Sequence, residues 1–302
     1  MDISNQELQQ TYTRKNRVYV LIAICVGIIF CYFLLSGPFN ESAITIHVSS
    51  KEPLSAVSTK LKNKNVIRST AILELFVMLF KNDKQILVGD YYFKQNSSVI
   101  SIAWDLAHGI HNVNPIKITL REGLTNNQIS DILAQNILDF NVVEFNKNVI
   151  DKQGYLFPDT YFFFPLSTTD EVISSLSNNF EKHIAPLHQE ILASKHSLND
   201  IISMAAILEH EANGEKDINL ISGIAWKRLA LGMPLQVDAA PTTYKVAGLP
   251  ATPIANPGLL CIAASLHPTP SAYLYYLHDK NGIIHFATTF AEHKRNIARY
   301  LK

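Results

Sequence analysis

Two glutamates, Glu209 and Glu211, stand near the end of an otherwise almost entirely apolar stretch of the chain. A carboxyl group that faces apolar side chains is poorly solvated when it is ionised, so it can stay protonated near neutral pH. Such a group can give a proton to a leaving group, which is the role of a general acid. The same pattern also fits a carboxylate with a purely structural role, or one exposed to solvent, and the stretch alone does not separate these interpretations.

The stretch is predicted to form a helix that begins near Ser197. Ser197 is followed three residues later by Asp200, in the pattern of a capping box. At about 100° per residue, Glu209 falls inside the apolar arc of this helix. The polar residues gather on the opposite side: Asn199, Ser203 and His210. Glu209 is therefore predicted to point inward. Glu211, at the border of the polar arc, could assist it, but a charge on the helix surface is the favoured interpretation.

Composition and missing motifs narrow the possible chemistry. The chain has 302 residues, enough for two domains, and its 26 basic residues balance 26 acidic ones without a basic stripe. This balance argues against a nucleic-acid partner. No His-Glu-x-x-His, Gly-x-Ser-x-Gly, phosphate-binding loop or dinucleotide fingerprint is found, so neither a metal site nor a cofactor is predicted. Carboxylate chemistry is what remains.

An uncharged apolar run from Val18 to Leu35 is long enough to cross a bilayer. We predict a single transmembrane helix at residues 18–36. Basic residues precede it (Arg14, Lys15 and Arg17) and the first charge after it is Glu41, so residues 1–17 are predicted to be a cytoplasmic tail. A cleaved signal peptide is the alternative. An uncleaved anchor is favoured because the run is long and no convincing cleavage site follows it.

Residues 43–112 are predicted to form a small α+β module. A strand at Ile44–Val48 is followed by two helices, a strand at Gln85–Phe93 and a third helix that ends at Gly109. This layout, with the segment Val88-Gly-Asp-Tyr-Tyr92, resembles a LysM-like peptidoglycan-binding module. A spacer domain without a ligand is the alternative.

After Asn114-Pro115, residues 115–302 are predicted to form a larger α+β domain. Its local signals include a helix capped by Thr125, a β-hairpin around Asp279–Gly282 and a last helix that begins with the capping box Thr289–Glu292. The aromatic segment Gly154–Tyr161 could line a sugar cleft, because aromatic rings cover the apolar faces of pyranoses. It could equally be a turn in the core.

Several segments of this larger domain, in their order along the chain, resemble the YceG-like family of endolytic murein transglycosylases. They are Gly154–Tyr161, Ala206–Ala212, Met233–Asp238, Thr243-Tyr244, Gly248–Gly258 and Phe286–His293. With the anchor and the LysM-like module, the resemblance covers almost the whole chain. It implies a bacterial inner-membrane protein that cuts nascent peptidoglycan glycan strands, with Glu209 as the catalytic residue and contacts to the peptidoglycan synthesis machinery.

The resemblance also implies a set of substrate-binding residues: Tyr155, Asp159, Tyr161, Gln236, Asp238, Asn256, Glu292 and His293. Glu292 has a competing structural explanation as part of a capping box. The sequence departs from the family pattern in two places. Gln153 stands where the family usually has Glu, and the stretch between Asp238 and Thr243 is shorter than is common. The second departure puts the sugar contacts of Gln236 and Asp238 in question.

The mechanism that the resemblance implies is that of a lyase. Glu209 protonates the glycosidic oxygen between N-acetylmuramic acid and N-acetylglucosamine, and its carboxylate then takes the proton of the muramoyl C6 hydroxyl, which closes onto C1. The sequence offers no partner carboxylate with a comparable position, which favours a lyase over a two-carboxylate hydrolase. The alternative from another class is a non-catalytic, membrane-anchored scaffold that binds peptidoglycan.

Overall fold

The computed structural model describes residues 17–28, 32, 36, 42–81, 85–211 and 217–301. The chain forms two compact units, residues 1–114 and residues 115–302. Within the described residues, helices are combined with three two-stranded antiparallel sheets. The predicted α+β class is confirmed.

The N-terminal segment is described in part. Residues 17–28 form a helix, α1, with exposed apolar side chains. Residues 1–16, 29–31 and 33–35 lie outside the described residues, and with them most of the predicted tail and part of the predicted span. No helix among the described residues is both long enough and apolar enough to cross a bilayer.

The first unit has the order strand, two helices, strand, helix. Its elements are β1 (Ile44–Val48), α2 (Leu54–Asn63), α3 (Thr70–Phe80), β2 (Gly89–Phe93) and α4 (Val99–His108). β1 pairs with β2 in antiparallel register, and α4 ends at Gly109 in a left-handed conformation (φ 65°), as predicted. The second strand begins later than predicted, because Gln85 instead forms an isolated bridge with Pro53.

The second unit carries the remaining elements. In chain order these are β3 (Ile116–Thr119), α5 (Asn126–Asn136), α6 (Val142–Asn148), β4 (Thr160–Phe163), α7 (Thr169–Ile184), α8 (His188–Ala193), α9 (Leu198–Glu211), α10 (Ile218–Ala230), α11 (Leu259–Leu266), β5 (Tyr275–His278), β6 (Ile284–Ala287) and α12 (Phe290–Tyr300). β3 pairs with β4 and β5 pairs with β6, which confirms the predicted hairpin.

Helix α9 lies in the core of this unit. The predicted capping box is present, since the backbone N–H of Ser197 donates to Asp200 Oδ2 (3.0 Å) and that of Asp200 donates to Ser197 Oγ (3.1 Å). The helical period places Ser203 on the polar side of α9 with Asn199 and His210, yet Ser203 is only 1% exposed. Its hydroxyl lies 3.5 Å from the carbonyl of Pro250, because the loop before α11 covers this side of the helix.

Candidate active site

Glu209 occupies the last turn of α9 and is partly buried. Its Oε2 accepts a hydrogen bond from the backbone N–H of Gly258 at 2.9 Å. Gly258 is the N-cap of α11, and the unpaired N–H groups at a helix N-terminus attract a carboxylate. The predicted inward orientation of Glu209 is therefore confirmed.

The thiol of Cys261, on the first turn of α11, also forms a hydrogen bond with Glu209. Burial raises the pKa of the Cys261 thiol strongly, and the charge of Glu209 raises it further. The thiol therefore stays protonated and can donate to the carboxylate. Cys261 is only 4% exposed, so it forms the floor of the site.

A second carboxyl group, that of Glu122, reaches the same end of α11. A methyl group placed on Gly258 would lie 1.8 Å from Glu122 Oε1 and 2.1 Å from its Cδ, so the carboxyl of Glu122 rests directly on Gly258. Burial raises the pKa of Glu122, and the nearby charge of Glu209 raises it further. The expectation that Glu209 has no partner carboxylate is therefore wrong.

The turn that carries Glu122 depends on the glycine that follows it. Gly123 has a φ of +78°, which L side chains rarely adopt, and a Cβ at this position would lie 3.3 Å from Glu209 Cγ. The turn thus approaches the side chain of Glu209 closely. Gly123 is needed both for the backbone conformation and for this contact.

The side chain of Asn256 holds this turn in place. Its Oδ1 accepts from the N–H groups of Gly154 (2.9 Å) and Leu156 (3.0 Å). Its Nδ2 donates to the carbonyl of Leu124 and to Asn126 Oδ1, both at 2.9 Å. All four hydrogen-bonding positions of the amide are thereby used. In place of the predicted sugar contact, the structure gives Asn256 a positioning role.

Gln153 contributes to the same network from the start of the aromatic segment. Its Oε1 accepts from the N–H of Asn126, the first residue of α5, at 3.0 Å. A glutamate, which the family pattern has here, could accept the same bond. Gln153 therefore keeps this contact at the helix N-terminus but without a negative charge.

Tyr155 lies far from Glu209. Its hydroxyl donates to Asn199 Oδ1 at 3.2 Å. Asn199 is in the first turn of α9, and at 1.5 Å per residue it lies about 15 Å along the helix axis from Glu209. A role for Tyr155 in substrate binding stays a prediction, and the structure does not bring its side chain next to Glu209.

Asp159 and Tyr161 are joined to each other through Asn179 on α7. The amide of Asn179 donates to Asp159 Oδ2 (2.9 Å) and to the hydroxyl of Tyr161 (3.0 Å). The bond from Asn179, with one from the backbone of Thr160, lowers the pKa of Asp159. Tyr161 is 7% exposed and donates to the carbonyl of Phe157 at 2.6 Å. Most of this aromatic segment packs in the core, but Asp159 is exposed and Tyr155 is only partly buried, so substrate binding by these residues stays a prediction.

A second polar cluster gathers around Arg228 of α10. Arg228 is 7% exposed, and its Nη2 donates to the carbonyl of Pro234 (2.6 Å) and to Gln236 Oε1 (2.7 Å). Its guanidinium carbon lies 5.5 Å from the centre of the Tyr275 ring, within the range of a cation–π contact. The side-chain oxygen of Gln236 is thus engaged by a buried cation.

Glu211 joins this cluster to the end of α9. The hydroxyl of Tyr276 on β5 donates to Glu211 Oε2 at 2.8 Å, and Glu211 is partly buried. Burial raises the pKa of Tyr276, and Glu211 raises it further. The expectation that Glu211 is a surface charge is wrong, because β5 covers it. Nearby, Asp238 accepts from the hydroxyl of Tyr244.

The last two predicted residues lie at the start of α12. Glu292 Oε2 accepts from the N–H (2.9 Å) and the hydroxyl (3.0 Å) of Thr288, and these bonds lower the pKa of Glu292. The N-cap of α12 is Thr289, whose hydroxyl accepts the N–H of Glu292 at 3.2 Å, while the carboxyl of Glu292 holds Thr288 just before the cap. The ring of His293 lies 5.2 Å from that of Tyr275, and its pKa is lowered by burial and by the charge of Arg228. Gln236 and His293 thus lie beside Arg228, and Asp238 is linked to the same cluster through Tyr244. The carboxyl of Glu292 is engaged by Thr288 instead.

Comparison with known proteins shows which family this chain belongs to. A model of the YceG-like family matches residues 46–242 and 241–299, which is most of the chain. The chain belongs to the YceG-like family. A crystal structure of a yceG-like protein from Listeria monocytogenes is similar with a TM-score of 0.55 and 26% sequence identity, and the match covers 85% of this chain and 99% of that one.

Relatives of this YceG-like chain include proteins of named activity. The endolytic murein transglycosylase of Bacillus subtilis (strain 168) is 26% identical over 311 residues, which cover 87% of this chain and 86% of the relative. The endolytic murein transglycosylase of Streptococcus pneumoniae serotype 2 (strain D39 / NCTC 7466) is 22% identical, and the match covers 87% of this chain but 59% of that longer protein.

Sequence reasoning missed three contributors to the site of this YceG-like chain. Glu122 is followed by a glycine directly after a predicted strand, a signal that a turn presents its side chain. Cys261 is the one cysteine after the apolar run at residues 18–35, and a lone cysteine in an apolar segment gives no signal of a site. Arg228 lies on a largely apolar helix, where a long basic side chain usually reaches solvent. Each is recognised only when α9, α10 and α11 are seen side by side.

Proposed function

We propose that this chain is an endolytic murein transglycosylase, a lyase that cuts peptidoglycan glycan strands internally between N-acetylmuramic acid and N-acetylglucosamine. The observation that carries the proposal is the setting of Glu209. A partly buried carboxyl at the end of a core helix accepts the N–H of Gly258 and lies beside a second carboxyl. The named activity of the family relatives agrees with this chemistry.

The proposed reaction needs one proton to be given and one to be taken. Glu209 gives its proton to the glycosidic oxygen as the bond from that oxygen to C1 of N-acetylmuramic acid breaks. The C6 hydroxyl of the same sugar loses its proton and its oxygen bonds to C1, so a 1,6-anhydro end forms. This ring closure is intramolecular and benefits from a high effective molarity. No water is consumed.

The proposal is tested with the purified full-length chain in detergent and uncross-linked glycan strands of one length. An endolytic enzyme is expected to yield fragments of intermediate length early in the reaction. A non-catalytic scaffold would sediment with the strands and leave their length unchanged, which would refute the enzymatic proposal. Release of disaccharides alone from the strand ends would refute the endolytic part.

The position of the chain in the cell belongs to the same proposal. We propose a single span at residues 18–36 in a bacterial inner membrane, with residues 1–17 in the cytoplasm and the remainder outside. The charges support it: Arg14, Lys15 and Arg17 flank one side of an uncharged run. An extracytoplasmic catalytic unit would have access to peptidoglycan and to the proteins that synthesise it.

A cysteine placed at an exposed site tests this topology. Lys280 lies on the exposed turn between β5 and β6, whereas the native Cys261 is buried and unsuited to labelling. In intact spheroplasts, a membrane-impermeant maleimide should label Lys280→Cys, and should label the control Gln6→Cys only after permeabilisation. Cys25 and Cys31 are replaced by serine in both chains. The reverse pattern would show that the orientation is wrong.

For the first unit we propose glycan binding by a LysM-like module. Its two paired strands flank two helices in chain order, and a groove is lined by residues 50–55 and 85–88 together with Glu74 and Met78 of α3. The groove offers polar groups such as Lys51 and Glu52 beside exposed apolar side chains such as Leu87 and Val88. This mixture suits a sugar, which presents hydroxyls and apolar ring faces.

A further inference from the structure

We propose that Glu122 is a positioning residue for catalysis, whose carboxyl shares a single proton with Glu209 across the N-terminal end of α11. The inference rests on the proposed function and adds to it a second ionisable group. The pair would enter each turnover with one proton and leave it with one.

The geometry brings both carboxyl groups to one residue. Glu209 Oε2 accepts the N–H of Gly258 at 2.9 Å, and Glu122 Oε1 would lie 1.8 Å from a methyl group on the α-carbon of the same glycine. On its other side Glu209 is confined by Gly123, on the turn that carries Glu122. Two carboxyls this close repel each other when both are ionised.

No cation within the described part of the chain forms an ion pair with either carboxyl. The groups that face Glu209 from the packed elements are Cys261 on α11, a protonated thiol, and Glu122 itself. On α9, His210 is exposed but its ring reaches the turn that carries Glu122, since a Cβ on Gly123 would lie 3.7 Å from His210 Cε1 and 3.9 Å from its Nε2. Glu211 is held by Tyr276. The loop before α11, residues 248–258, contains no charged side chain. The repulsion between Glu122 and Glu209 is therefore not offset by a salt bridge.

This repulsion helps to keep a proton at the site, which the hydrogen bonds to Glu209 would otherwise disfavour. The N–H of Gly258 and the thiol of Cys261 both donate to Glu209, and such bonds stabilise an ionised carboxylate. A carboxylate has no proton to give to a leaving group. Glu122 opposes this tendency, because two adjacent ionised carboxylates are unfavourable and one proton is retained by the pair.

The proton balance of the reaction follows. The pair gives its proton, from Glu209, to the oxygen that leaves C1. It then holds no proton, and it accepts the one that the C6 hydroxyl releases as that oxygen bonds to C1. The pair regains the state in which it began, so neither a water molecule nor an external base is needed.

The test compares the pH dependence of cleavage in the full-length chain and in Glu122→Gln. Without its second ionisable group, the site should lose the proton that the pair retains at a lower pH. The basic limb of the kcat profile is therefore expected to move to lower pH by about one unit or more, the scale of coupling that makes two groups titrate as a pair. At neutral pH kcat should fall about tenfold or more, with KM little changed, and part of the loss should be recovered in acid.

Two further variants separate titration from structure. Glu144→Gln removes an exposed glutamate on α6 and should leave the profile unchanged. Glu122→Asp keeps an ionisable group and should retain the wild-type limb better than Glu122→Gln. A uniform loss of kcat at every pH, with the basic limb unmoved, would show that Glu122 acts only through the shape of the turn and would overturn the proposal.

A direct titration of the two carboxyls tests the shared proton even if the chain cleaves no glycan. In the full-length chain labelled at glutamate carboxyl carbons, nuclear magnetic resonance should show Glu122 and Glu209 losing protons in two steps separated by more than about one pH unit. Both carboxyls titrating independently near pH ~4.3, as in free glutamate side chains, would overturn the shared proton. If the shared proton is present but no glycan is cut, the proposed function has failed and this inference about the pair has not.

Discussion

Glu209→Gln is expected to lower the rate of glycan cleavage by about 10³-fold or more while leaving the fold intact, because general acid and base catalysis is worth about 10² to 10⁴ and this residue is proposed to supply both. The amide oxygen can still accept the N–H of Gly258, so the end of α11 should keep its place. Turnover at a saturating concentration of glycan strands measures the effect, and circular dichroism checks the fold.

Glu211→Gln is the matched control, two residues further along α9. Glu211 accepts the hydroxyl of Tyr276, and an amide oxygen can do the same, so we expect a loss of less than about tenfold. That figure lies below the range of about 10² to 10⁴ for a general acid or base. Equal losses in the two variants would mean that the choice of Glu209 as the proton donor is wrong.

Asn256→Ala is expected to lower the free energy of unfolding of the second unit by about 4 kcal/mol, because buried polar groups left unpaired cost about 1 to 3 kcal/mol each. The groups that lose their partner are the N–H groups of Gly154 and Leu156, the carbonyl of Leu124 and Asn126 Oδ1. Urea unfolding of the full-length chain measures the loss. Cleavage should fall as well, since the turn with Glu122 would no longer be held.

The control for this prediction is Asn136→Ala. Asn136 is exposed at the end of α5, and its amide donates only to the carbonyl of Ile132, a helix contact that solvent can replace. The expected loss is about 0.5 kcal/mol or less, as for most surface substitutions. Similar urea midpoints for the two variants would contradict the positioning role that we assign to Asn256.

Structural features that depend only on residues close together in the sequence could be predicted from it. The start of α9 at Ser197, the cap of α12 at Thr289 and the hairpin around Asp279–Gly282 each depend on a few consecutive side chains. The inward direction of Glu209 was also predictable, since it depends only on the helical period and on the apolar residues of one helix.

What the sequence could not show depends on contacts between distant segments. Ser203 is buried because the loop near Pro250 covers it, and Glu211 is paired because β5 brings Tyr276 to it. Asn256 bonds to partners at sequence separations of 100 to 132 residues. No local pattern specifies these pairings, and the meeting of Glu122 with Glu209 is of the same kind.

Because a second carboxyl lies beside Glu209, the chemical nature of the product is needed to distinguish a lyase from a hydrolase. In many glycoside hydrolases a second carboxylate activates water or attacks C1, so the presence of Glu122 beside Glu209 makes hydrolysis the reaction to be distinguished. The two outcomes differ by one molecule of water. Hydrolysis leaves a reducing muramic acid end that carries an oxygen from the solvent, whereas the lyase leaves a 1,6-anhydro end made of the sugar's own atoms.

Digestion of purified glycan strands in heavy-oxygen water, followed by mass spectrometry of the fragments, is therefore the most direct test. The full-length chain is expected to produce 1,6-anhydro-N-acetylmuramic acid ends that contain no solvent label, and Glu209→Gln to produce none. Reducing muramic acid ends with one heavy oxygen each would contradict the account and would make the protein a hydrolase.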